Sequence, residues 1–171
     1  MTSFKSSGYQ LMRIKHGILG MLVFVFMATS TVHADQFIGA KLTSLNVHEQ
    51  SSREPLNIAI NLGHELDTWI ADLSLVAEFS RTVAHGKTPL NEDLDVDYNA
   101  VYLLWKTTRS MFVTLRAGFA DNEIINGDRS QNKRGLMLGC SLGQVIGRTR
   151  LQIEYTTLPG SSNFVGIGLE F

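Results

Sequence analysis

Apolar and polar residues alternate along most of this chain with a period of two. In Arg150–Tyr155, Leu151, Ile153 and Tyr155 alternate with Arg150, Gln152 and Glu154. In 163–171, Val165, Ile167, Leu169 and Phe171 alternate with Phe164, Gly166, Gly168 and Glu170. Period two places successive side chains on opposite faces of a strand, so each such run has one greasy face and one polar or small face. The same pattern appears in 56–63, 72–79, 111–120 and 135–143, and more weakly in Phe37–Asn46. Only Asp97–Thr107 is apolar on both faces. The pattern predicts eight strands.

The segments between them alternate in length. Val47–Pro55, Thr82–Asp95 and Ala120–Lys133 read as long loops, and Thr157–Ser162 as intermediate. Glu65–Trp69, Thr107–Ser110 and Gln144–Gly147 read as short turns. An antiparallel meander with long loops at one end and short turns at the other gives this order. No stretch after the first 34 residues has 18 consecutive apolar residues, so no membrane-spanning helix is expected there. The fold class expected is all-β: an eight-stranded antiparallel up-and-down barrel.

Such a barrel has two forms. A lipocalin-like carrier keeps its apolar faces inside around a ligand; a transmembrane barrel turns them outward. The polar faces here carry Gly39, Gly63, Gly118, Gly135, Gly139, Gly143, Gly166 and Gly168, which suit a narrow, crowded interior. They also carry charges of both signs: Lys41, Arg116 and Arg150 against Asp72, Glu78, Glu154 and Glu170. Burial of such charges requires pairing, which an inward-facing network would supply. Trp69, Tyr98, Phe119, Tyr155 and Phe171 fall near strand ends, as interfacial aromatic girdles would. The transmembrane form is the expectation, with a closed polar interior and no large pore, since eight strands enclose only room for side chains.

Composition sharpens the picture at the N-terminus. Residues 1–34 contain Lys5, Arg13 and Lys15 and no acid, which leaves 12 basic against 16 acidic residues in the remaining 137. A short apolar run from Ile18 to Ala28 follows the basic residues, and Val32 and Ala34 stand at −3 and −1 of a signal-peptidase site. A cleaved signal peptide over 1–34 and a barrel domain over 35–171 are expected. The mildly acidic remainder excludes a basic nucleic-acid surface. A single cysteine, Cys140, excludes an internal disulfide framework and reads as one more apolar wall residue.

The ending Val165-Gly-Ile-Gly-Leu-Glu-Phe171 and the opening Phe37-Ile-Gly-Ala-Lys41 resemble those of small bacterial outer-membrane β-barrel proteins, the OmpA-like and OmpX-like eight-stranded group. The resemblance covers 35–171 and lies in pattern, without a catalytic motif. It implies integral residence in the outer membrane among outer-membrane lipids and lipopolysaccharide, and delivery by periplasmic chaperones to the outer-membrane assembly machinery. That machinery would read Val165, Ile167, Leu169 and Phe171 as a C-terminal assembly signal. It implies no single activity, because members serve as structural proteins, adhesins, small pores or enzymes.

Candidate chemistry is sparse. A lipid A-modifying barrel enzyme would need a histidine with a serine and an acid, yet neither His48 nor His85 sits in a recognisable motif, and His64 lies on the lipid-facing parity. Asn91, Glu92, Asp93, Asp95 and Asp97 offer oxygens suited to calcium but lack EF-hand spacing. No catalytic residue, cofactor or metal is expected, and the surface partner is left open.

Overall fold

The structure is a computed structural model, which describes residues 36–47, 51–66, 72–107, 109–127, 129–160 and 162–171. Residues 1–34, expected to be a signal peptide, and His48 and Trp69 lie outside the described residues. Every assigned element among them is a β-strand: β1 (Gln36–Val47), β2 (Leu56–Leu66), β3 (Leu73–Ala84), the two-residue β4 (Gly86–Lys87), β5 (Asp93–Lys106), β6 (Met111–Asn126), β7 (Arg129–Ile146), β8 (Thr149–Leu158) and β9 (Ser162–Glu170). All pairings are antiparallel. The eight long strands form a ring closed by β1 on β9 and β3 on β5, while β4 adds to the rim of β5.

Register fixes the barrel's dimensions. A path across the strands runs Gln36, His64, Leu75, Leu103, Ala117, Leu138, Thr157, Asn163 and returns to β1 at Asn46, ten residues on from Gln36. With ~3.3 Å per residue and ~4.8 Å between strands, that stagger tilts the strands by about 40°.

Parity sorts the side chains as the alternation requires. Outward residues such as Ile38, Ile60, Leu115, Ile153 and Ile167 are exposed, while their sequence neighbours are buried in the lumen. The outer wall is apolar up to a level reached on every side. On β6 the outward run Met111, Val113, Leu115, Ala117, Phe119 ends at Asp121, about 25 Å along the axis at roughly 2.5 Å rise per tilted residue. Asp121 pairs in register with Arg134 and Asn99, and Asn163 with Thr157 and Asn46, so the polar residues of neighbouring strands form a common boundary.

The long-loop end departs from expectation at two connections: in 82–95, β3 runs on to Ala84, β4 forms and β5 begins at Asp93, and the second departure is larger. Ala120–Lys133 is no loop: β6 and β7 continue in register to Asn126 and Arg129 as a tight hairpin. Gly127 adopts φ 54°, the left-handed conformation that two-residue hairpin turns demand. The segment hid in the sequence because it lies above the apolar band, where Asp121, Glu123, Asn132 and Arg134 face outward to polar surroundings and no greasy face marks the period.

Candidate functional site: the filled lumen and its rim

The lumen is built from inward positions on all eight long strands, and its glycines admit the large side chains. A Cβ on Gly63 would lie 1.9 Å from the Phe37 ring, and one on Gly143 would lie 2.2 Å from the Phe112 ring. Gly139 similarly leaves room for the stem of Arg116. The crowding expected of these glycines is present except at Gly135, whose Cβ would make only an ordinary contact with Pro159 at 3.4 Å.

Four charges converge at mid-barrel. Lys41 Nζ of β1 lies 2.6 Å from Glu78 Oε2 of β3 and 3.0 Å from Glu154 Oε1 of β8, and Arg116 Nη2 of β6 lies 2.7 Å from Glu154 Oε2. All four side chains are at most 1% exposed. Two cations and two carboxylates cancel, as a buried ionic cluster needs if desolvation is to be offset. Tyr98 and Tyr102 of β5 donate their hydroxyls to the two Glu78 oxygens at 2.5 and 2.6 Å. The Tyr102 ring also lies beneath both cations, 5.9 Å from Lys41 Nζ and 5.5 Å from the Arg116 guanidinium carbon.

A second cluster closes the short-turn end. Lys106 Nζ donates to Glu170 Oε1 at 2.9 Å and lies 3.9 Å from Glu65, while Arg150 Nη1 donates to the same Glu170 oxygen at 2.6 Å. Lys106 also sits 5.2 Å from the centre of the Phe37 ring.

Of the charges singled out in the sequence, Lys41, Glu78, Arg116 and Glu154 meet in the first cluster and Arg150 and Glu170 in the second. Asp72 does not join the buried charges. It lies exposed just before β3, where its backbone carbonyl accepts the N–H of Lys106, because the strand inside the wall starts at Leu73. Sequence reasoning missed Lys106, Glu65, Tyr98 and Tyr102. Parity was the available signal: Tyr98, Tyr102 and Lys106 share one face of β5, obscured because the opposite face is equally apolar. Tyr98 is no girdle residue. It is fully buried and stacks on Phe164 with ring centres 5.5 Å apart.

Nor is the interior uniformly polar. Toward the long-loop end Leu45, Leu94, Val96, Met137, Leu158 and Phe164 fill the lumen, each at most 2% exposed. The expectation of a polar interior holds for the two charged levels and fails at this apolar stopper. Leu94 and Val96 fell in the segment read as loop or strand edge, and Leu158 in the β8–β9 connection.

At the rim, loop 51–55 is stitched to β4. Arg53 and Lys87 exchange backbone hydrogen bonds at 3.1 and 2.8 Å, and Ser52 Oγ donates to the Thr88 carbonyl at 2.8 Å. His85 is exposed, with Nδ1 2.5 Å from Asp95 Oδ1; that carboxylate raises its pKa above the usual 6.5. Lys87 donates to Asp93 at 2.7 Å and holds that carboxyl below its usual range. No cluster of metal-ligating side chains occurs among the described residues. His64 lies on β2 near the short-turn end, part-buried.

No protein-family model matches the sequence, and no curated protein matches it significantly. Solved structures do. Neisserial surface protein A superposes with a TM-score of 0.58 at 14% identity, over 81% of this chain and 98% of that one. The fold is that of the eight-stranded outer-membrane barrels. The N-terminal barrel domain of Pseudomonas aeruginosa OprF aligns over 81% of this chain and all of that one at 10% identity, with a TM-score of 0.49. Ail of Yersinia pestis aligns over 80% and 94% at 14% identity, with a TM-score of 0.47. At these identities the likeness concerns the outer-membrane barrel fold alone.

Proposed function

We propose that this protein is an integral outer-membrane barrel with a structural or surface-interaction role, a sealed interior and no catalytic activity. One observation carries the reading: exposed apolar residues clothe the outer wall on every long strand up to a shared polar boundary, a band about 25 Å tall of the kind a bilayer requires. A soluble protein would leave that continuous apolar surface in water. A lipocalin-like carrier, moreover, needs an empty apolar cavity, whereas ion pairs, rings and aliphatic side chains fill this lumen.

In this reading the partners of the wall are outer-membrane lipids and lipopolysaccharide. Val165, Ile167, Leu169 and Phe171, all outward and exposed on or just after β9, present the C-terminal signal to the assembly machinery after passage with periplasmic chaperones. Long connections at one end and short turns at the other set the long-loop rim outside the cell. His85 is paired with Asp95 at an exposed lip, and among the described residues no nucleophile joins that pair.

Outer-membrane fractionation with heat-modifiable gel migration tests the proposal. The intact protein is expected in the outer-membrane fraction, migrating faster unheated than boiled, and removal of Phe171 is expected to lower the inserted amount. Recovery of the intact protein as a soluble periplasmic species would end the reading.

A further inference from the structure

The β6–β7 hairpin rises above the apolar band and, among the described residues, has one bare edge. β7 pairs with β8 only from Leu138 onward, so Arg129–Met137 is hydrogen-bonded to β6 alone. The opposite edge of the same raised sheet is covered by the chain itself: β4 pairs with β5, and Arg53 bridges to Lys87. On the bare side the β8–β9 turn reaches only as high as Gly135, which faces Pro159, and Lys133, whose stem packs on Gly160. Above it, among the described residues, the backbone of 129–132 has no neighbouring strand on that side. An open strand edge offers alternate N–H and C=O groups to any extended segment.

Charge selects the occupant. β7 has no acidic residue between Arg129 and Ile146, and its upper part carries Arg129, Lys133 and Arg134. Arg134 is already committed to Asp121, with both its Nε and Nη2 2.8 Å from Oδ2. On the other face Arg129 and Gln131 line a hollow with Ile124 and Asn126, and Lys133 follows at the same parity. Among the described residues, neither Arg129 nor Lys133 has a carboxylate within ion-pair distance. A second copy of the chain pairing edge to edge would bring these cations together, so the charges that repel a copy favour an acidic strand.

We infer that the Arg129–Asn132 edge of β7 is a docking site for an extended acidic polypeptide segment, added as a further strand above the β8–β9 turn with acidic side chains facing Arg129 and reaching toward the ammonium of Lys133. The inference specifies the partner class for the surface role proposed above, and it is tested on protein already inserted in bilayers, so its failure is separable from failure of insertion. The probe is a fluorescent peptide alternating glutamate with valine, compared with a lysine–valine peptide and with a peptide of the glutamate–valine composition in which the glutamates are blocked together. The barrel in phospholipid nanodiscs is expected to bind the alternating acidic peptide at least tenfold more tightly than either control. Alternate amides of 129–132 should gain hydrogen-exchange protection on binding. The double variant Arg129→Glu, Lys133→Glu, still heat-modifiable, should lose at least tenfold in affinity for the acidic peptide and gain affinity for the basic one. Equal binding of the alternating and blocked acidic peptides, absence of amide protection, or undiminished binding by the double variant would each overturn the inference.

Discussion

At the scale of single residues the lumen has little tolerance. Glu154 alone serves Arg116 at 2.7 Å and shares Lys41 with Glu78, so Glu154→Gln strands a buried guanidinium. Removing one partner of a buried pair costs about 3–5 kcal/mol, and replacing both by apolar residues costs far less. Urea unfolding in lipid vesicles is expected to show that loss for Glu154→Gln and a smaller one for Glu154→Met with Arg116→Met. Gly143→Val forces the Phe112 ring from its place and should lower stability by about 1–3 kcal/mol or more in the same measurement. His85 reports the rim. Because Asp95 raises its pKa, the protonated ring is favoured in the folded state. The stabilisation is complete below about pH 6.5, its unfolded-state value, and fades as pH rises through the higher folded value. NMR titration should place the His85 midpoint above 6.5, and Asp95→Asn should bring it back toward that value.

Among elements, the β6–β7 hairpin stands apart from the barrel wall that supports it. Its turn rests on Gly127, and a β-branched residue at φ 54° is strained by about 1–3 kcal/mol. Gly127→Val is expected to speed amide exchange from Ile124 to Gln131 while leaving the unfolding midpoint of the barrel in place. The wall strands were legible in the sequence because lipid on one side and a packed lumen on the other enforce period two, as in Leu151–Tyr155 and Val165–Phe171. Where one of those media ends, so does the signal. The hairpin, wet on its outward face, read as a loop; β5, apolar on both faces, hid Lys106 and the two tyrosines in plain alternation. Which charge meets which was illegible for another reason. Lys41, Glu78 and Glu154 lie on β1, β3 and β8, and only the ten-residue stagger of the closed ring brings them to one level.

At the scale of the whole barrel, the described residues fill the lumen at two levels. The mid-barrel ion cluster and the short-turn cluster hold the lower lumen, while Leu45, Leu94, Val96, Met137, Leu158 and Phe164 fill the upper. Loosening the charges therefore leaves the apolar stopper intact. In planar bilayers the wild-type protein and Lys41→Met are both expected to show no sustained openings, whereas Phe164→Ala combined with Lys41→Met should admit small ones. Frequent openings from Lys41→Met alone would show that the ionic level is the sole barrier.

The seam between first and last strands gives Lys41 a further meaning. Its two carboxylates come from a strand made early and a strand made nearly last, on opposite sides of the β1–β9 junction. While that junction is open, Glu154 and Arg116 can meet through the continuous β6–β7–β8 sheet, but the ammonium of Lys41 has only Glu78 on its own side of the gap. Each side is thus already neutral, and closing the circle adds the contact of Lys41 with Glu154 that joins the two pairs into one cluster. The buried cluster is therefore also a clasp across the seam: the observed β1–β9 register is the one that sets the Lys41 ammonium beside Glu154 as well as Glu78.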